Sequence, residues 1–216
     1  MPAVIDASTL TLQDVRDRLH LDRQIERDFS PFLELQPLSD SQNTRLQEIL
    51  QIWDRYNASG KVSEGAVKML VVSPLVLELS GYLSDRSVRI SLEENIAEIV
   101  TEDDGTTIRG RMDILICRTS DDSATQTLRD RASLCVLVIE TKNSAIATSA
   151  ALPQLLAYAS SFLDRQACVW GLATNGTDYQ FVRLERGLYR QFRSLSATFP
   201  EEATRLVEVA IAIRSR

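Results

Sequence analysis

The order of apolar and polar positions divides the chain into alternating helical and extended segments. Thr11 followed by Asp14 caps a predicted helix over Leu12 to Leu19, with Val15 and Leu19 on one face. Ser39 to Tyr56 repeats Leu46, Leu50 and Trp53 at helical spacing, and Asn57 to Lys61 reads as a connector. A further helix is expected over Ser63 to Leu79, kinked or restarted at Ser73-Pro74 because proline removes a hydrogen bond. The period then becomes extended. Strands are predicted at Ser87 to Leu92, Ile96 to Thr101 and Thr107 to Cys117, the last two joined by a turn at Asp103-Asp104-Gly105. Arg118 to Ser133 is polar and reads as a surface loop or short helix. The apolar run Leu134-Cys135-Val136-Leu137-Val138-Ile139, bounded by polar sequence, reads as a fully buried central strand. A helix with Pro153 in its first turn follows over Ala150 to Leu163. A hairpin over Val169 to Thr174 and Tyr179 to Leu184 comes next, and a terminal helix over Glu201 to Ile213. This order predicts an α/β fold with a central mixed sheet flanked by helices: a helical amino-terminal extension over residues 1–61 and an α/β domain over 62–216.

The chemistry gathers at the ends of two of these strands. Side chains alternate along a strand, so Glu140 and Lys142 point one way and Thr141 the other. Asp113 sits within the other apolar strand. If the two strands are neighbours, two carboxylates and an ammonium converge at the end of a hydrophobic sheet. Two acids suit a hard divalent cation such as magnesium, which binds oxygen ligands and phosphate oxygens. A lysine beside it can steady an attacking water or offset charge on a phosphate. The simpler alternatives are an ion pair between Asp113 and Lys142, or a pair of solvated acids. An unanswered carboxylate in that run would be costly.

Composition narrows the field. The chain has 216 residues, 44% of them hydrophobic and 25% charged, as expected of an ordinary globular protein. No run is long enough to span a bilayer, and Met1 to Asp6 shows neither a basic start nor an apolar stretch, so a cytoplasmic protein is expected. Cys117, Cys135 and Cys168 lie apart in apolar stretches and read as buried thiols. His20, the only histidine, cannot build a multi-histidine zinc site and has no nucleophile motif beside it. Gly60-Lys61 lacks the earlier glycine of a phosphate-binding loop, so an ATP-driven motor is not expected within these residues. The formal net charge of −6 means that any grip on nucleic acid must be local or shared with a partner. Arg183, Arg186, Arg190 and Arg193 are candidates for such a patch, or are solvated arginines on an edge hairpin.

Arg111-Met112-Asp113 followed by Glu140-Thr141-Lys142 resembles the PD-(D/E)XK nuclease superfamily, with Met112 in place of the proline. Gln154 and Tyr158 match the Gln-X-X-X-Tyr motif of one branch, which includes the nuclease domains of type I restriction enzyme R subunits and of recombination exonucleases. Glu64 through Gly81-Tyr82 is similar to the amino-terminal helix of the R-subunit domains, and Gly171 to Tyr179 to their hairpin. The resemblance covers about Val62 to Phe192. It implies a restriction-endonuclease-like core and a magnesium- or manganese-dependent deoxyribonuclease. Asp113, Glu140, the Thr141 carbonyl and Glu64 would then serve the metal, and Lys142 the reaction. Gln154 and Tyr158 would orient Lys142 or touch DNA; otherwise they are a core tyrosine and a rim glutamine. Glu64 is equally readable as a first-turn acid favoured by the helix dipole. DNA, a second copy of the chain, or a restriction or repair subunit are the implied partners. A non-hydrolytic DNA-binding or assembly subunit is the alternative.

Overall fold

The structure is a computed structural model that describes residues 3–95, 99–101, 105–119 and 132–216. In chain order it begins with β1 (Val4–Asp6), α1 (Leu12–Leu19), β2 (Asp22–Glu26), α2 (Asp40–Asn57) and α3 (Glu64–Val67). A π-helix, Lys68–Leu79, continues directly from α3. Then come β3 (Val88–Asn95), β4 (Ile99–Val100), β5 (Thr107–Arg109), β6 (Arg111–Thr119) and β7 (Ala132–Thr141). The chain closes with α4 (Leu152–Ser160), β8 (Val169–Thr174), β9 (Asp178–Glu185), β10 (Leu188–Phe192), β11 (Leu195–Ser196) and α5 (Pro200–Arg214).

The large sheet runs β2-β10-β9-β8-β7-β6-β3, with β11 added to β9. It is mixed: β7 with β8 and β10 with β2 are parallel pairs, the others antiparallel. A parallel pair needs a crossover, and α4 is the crossover between β7 and β8. The uninterrupted apolar run in β7 follows from burial on both faces. Leu137 and Ile139 join α2, the π-helix and α5 in one core, while Cys135 and Val138 join α1 and α4 in the other. A second, three-stranded sheet, β1-β5-β4, packs beside α4.

Several expectations change in detail. The amino-terminal stretch has its two capped helices, with capping boxes Thr11–Asp14 and Ser39–Gln42. It is not simply helical, however, because β1 lies parallel to β5 and β2 lies parallel to β10 at the sheet edge. Leu46, Ile49 and Trp53 of α2 are buried in the same core as β7. The helix expected to kink or restart at Pro74 does not restart there: it widens at Lys68 and continues as a π-helix through the proline. The strand expected over Thr107 to Cys117 divides at Gly110, its first part pairing with β1 and its second with β3 and β7. Of the turn at Asp103-Asp104-Gly105, only Gly105 lies within the described residues, with φ of 66°. Residues 120–131 of the expected surface loop fall outside them. Cys117 and Cys135 are buried as expected, and Cys168 is half-buried.

Candidate active site

The site lies where the β6–β7 ladder stops being a ladder. Pairing proceeds to Ile114 opposite Ile139 and goes no further toward the carboxy-terminal end of β7. Beyond it the Thr141 amide donates not to a strand carbonyl but to Asp113 Oδ2 at 2.6 Å, and the Thr141 hydroxyl donates to the same oxygen at 2.7 Å. On the other side of Asp113 the β3 register skips Glu93, which takes a φ of 57°. A left-handed conformation at a non-glycine residue is strained, and strain of this kind persists where surrounding contacts enforce it. Asp113 therefore sits in a gap opened on both flanks.

Asp113, Glu140, Lys142, Gln154, Tyr158 and Glu64 all line one cavity of about 700 Å³, together with Asp6, Ser8, Arg109 and Arg111. Glu140 and Lys142 face the same way, as alternation requires, and the Lys142 ammonium donates to Glu140 Oε1 at 2.8 Å. Glu140 is 1% exposed. Its second oxygen, Oε2, is buried and meets no hydrogen-bond donor among the described residues. Burial, with the nearby Asp113 charge adding to it, pushes the Glu140 carboxyl up to about 8, against the pull of Lys142. An isolated buried carboxylate is unfavourable, and a cation at Oε2 is one way to answer it.

The ion pair imagined between Asp113 and Lys142 is replaced by another. Lys68, one helical turn after Glu64, donates to Asp113 Oδ1 at 2.7 Å and lies 3.1 Å from Glu64 Oε1. Burial, the largest single influence, disfavours the charged Lys68, but the hydrogen bonds and negative charges of Asp113 and Glu64 together outweigh it and raise its pKa. Nothing in the sequence around Lys68 marks it as the partner of Asp113, although the Glu64–Lys68 spacing is an i,i+4 pair that marks a shared helix face. Glu64 fits both of its readings, since it opens α3 in the first turn and also lines the cavity. Among the described residues no three or more His, Cys, Asp or Glu side chains gather closely enough to hold a metal ion.

Gln154 and Tyr158 share a face of α4. Gln154 Oε1 accepts from Lys142 at 3.1 Å, while Gln154 Nε2 donates to the Tyr158 hydroxyl at 2.7 Å. That hydroxyl also accepts from the Arg111 amide at 3.1 Å. Tyr158 is at once a core residue, 1% exposed, and the far end of a hydrogen-bond chain that starts at Lys142. Three of the four carboxy-terminal arginines are engaged elsewhere, and Arg186 is exposed. Arg183 pairs with Glu185, Arg190 with Glu26 and Arg193 with Glu202, so three of the four charges in the patch read from their spacing are met from within. His20 caps α1 in a left-handed conformation and is not among the residues lining the cavity.

No protein-family model matches the chain, and no curated protein matches it. Among solved structures it is similar to a fragment described as the HsdR subunit of a type I restriction enzyme from Vibrio vulnificus YJ016. The identity is 15% and the TM-score 0.39, over 69% of this chain and 26% of that one. The chain thus spans about a quarter of that fragment, a likeness too slight to carry an argument about fold or chemistry. No helix among the described residues is long and apolar enough to cross a membrane.

Proposed function

We propose that this chain is a metal-dependent nuclease with a restriction-endonuclease-like core, hydrolysing DNA phosphodiesters. The observation that carries the reading is the buried Glu140 carboxylate with its unpartnered Oε2, in one cavity with Asp113 and Lys142. Asp113 and Glu140 are the two oxygen donors suited to a hard divalent cation, magnesium or manganese. The Thr141 carbonyl would add to them, and Glu64, which does not gather with them into a three-carboxylate cluster, would have to approach on binding. Such an ion would polarise water and offset phosphate charge. The chain's own residues supply the rest. Thr141 fixes the Asp113 carboxylate through two hydrogen bonds. Gln154, braced by Tyr158, holds the Lys142 ammonium over the cavity, where it would stabilise negative charge developing on the phosphate. Lys68 neutralises Asp113 and Glu64 and would yield to a cation of higher charge.

The second reading, a non-hydrolytic DNA-binding or assembly subunit, is favoured by the same Lys68, whose 2.7 Å bond already answers Asp113. Cleavage of single-stranded and duplex DNA with magnesium or manganese, run beside Lys142→Met, separates the two. The nuclease reading expects cleavage by the wild type and its loss in the variant with metal and DNA binding retained. DNA binding with no cleavage of either form by the wild type would leave only the subunit reading.

A further inference from the structure

Two cavities meet at Asp113, and Lys68 stands where they join. We propose that Lys68 is a tethered competitor for the metal: its ammonium holds the Asp113 oxygen that a divalent cation takes, so loading the site requires the lysine to withdraw. This rests on the reading of the acidic cavity as a cation site and adds what controls the cation's entry.

The two oxygens of Asp113 are held in different ways. Oδ2 accepts from the Thr141 amide at 2.6 Å and the Thr141 hydroxyl at 2.7 Å, and is fixed by the end of β7. Oδ1 accepts from Lys68 at 2.7 Å, so it is the oxygen that a side-chain movement alone can release. The same ammonium lies 3.1 Å from Glu64 Oε1 and therefore stands between the two acids. Its side chain is 20% exposed, held against the carboxylates rather than loosely solvated. An ammonium and a divalent ion bonded to one oxygen repel each other strongly, and one of them must leave. Lys142 poses no such conflict, because it takes Oε1 of Glu140 and leaves Oε2 without a donor.

The fold gives the Lys68 side chain somewhere to go. Lys68 does not line the acidic cavity but a second one of about 350 Å³, and Asp113 borders both. Ser73 and Glu93 lie on the wall of that second cavity. Glu93 is the residue skipped in the β3 register, and it offers the displaced ammonium another carboxylate. Its present pairing with Arg111, at 3.2 Å with both side chains more than half exposed, is weak and screened. Gly65 on the same wall leaves room, since a Cβ there would meet nothing within 4 Å. The helix changes pitch at Lys68 itself, and π segments are frequent at functional sites. Withdrawal would also clear the space between Asp113 and Glu64 and let the second acid approach.

The test is isothermal titration of manganese into wild type, Lys68→Met and Lys68→Gln. Arg45→Met is the control: it removes an equal charge from between two acids, Glu48 and Glu78, away from both cavities. Removing the competitor should tighten manganese binding by roughly ten- to a hundredfold, the range set by one hydrogen bond to a charged group. Arg45→Met should bind as the wild type does. Thermal melting in EDTA shows which variants are folded, and Lys68→Gln carries the same expectation should Lys68→Met not fold. At one manganese concentration the melting temperature should rise more in the Lys68 variants than in the wild type. Wild-type binding with equal or weaker binding by the folded Lys68 variants overturns the competition and leaves the cation site standing. The same tightening in Arg45→Met reduces the effect to net charge and also overturns it. Binding by none of these proteins overturns the cation reading and the competition together. Binding by the Lys68 variants alone upholds the competition and overturns the nuclease reading, leaving Lys68 as the lock of a non-hydrolytic subunit.

Discussion

The two ends of the β6–β7 pair are built from neighbouring stretches of the same strands and serve opposite purposes. Between Ile114–Ile139 and Cys117–Cys135 the side chains alternate between two apolar cores, and Leu115, Ile116, Leu137 and Val138 are fully buried. Beyond Ile114 the ladder opens and the Thr141 amide turns to a carboxylate. There Glu93 adopts a strained backbone, and a buried glutamate keeps an oxygen without a partner. One end repays burial with stability; the other carries charge and strain that a hydrophobic replacement would relieve. Sequences that break local rules in one place and obey them next to it tend to do so at functional sites.

The sharpest way to break this comparison is to damage each end separately. Leu137→Ala, in the apolar half, removes a fully buried side chain and should cost roughly 2–5 kcal/mol of unfolding free energy. Chemical denaturation measures that loss, and manganese affinity of the folded protein should stay as it was. Lys142→Met, at the other end, should leave the denaturation midpoint nearly unchanged and lower cleavage about a hundred- to a thousand-fold, the effect of removing one charge-stabilising donor. A large stability loss at Lys142 would mean that its bonds to Glu140 and Gln154 are structural. Gln154→Ala should have the smallest effect. It removes the brace between Lys142 and Tyr158 but no group of the acidic centre, so cleavage should fall by about tenfold, the low end of what outer partners cost. Equal melting temperatures for Gln154→Ala and wild type would separate positioning from packing.

The same contrast explains what can be read from the sequence. The apolar half is legible because the run from Leu134 to Ile139 has no rival interpretation. The capped helices α1 and α2, the hairpin at Asn175-Gly176 and α5 likewise declare themselves by local chemistry. Strand β2 does not: Asp22 to Glu26 is polar and mostly exposed, and its strand character comes only from lying beside β10. Strand β1 is three residues long and exists through its pairing with β5. At the site, alternation brings Glu140 and Lys142 together and helical spacing aligns Gln154 with Tyr158, so those residues are readable. The partner of Asp113 is not, because Lys68 reaches it across 45 positions from a helix whose pitch changes at that residue. Nor is the opening of the ladder, which no local pattern encodes.

The central claim is that the opened end of this strand pair is a cation site. Isothermal titration of manganese into the wild type, Asp113→Ala and Leu137→Ala tests it most directly. The claim predicts one site per chain in the wild type, retained in folded Leu137→Ala and lost in Asp113→Ala. Equal manganese binding by wild type and Asp113→Ala, or no binding by the wild type, would contradict it.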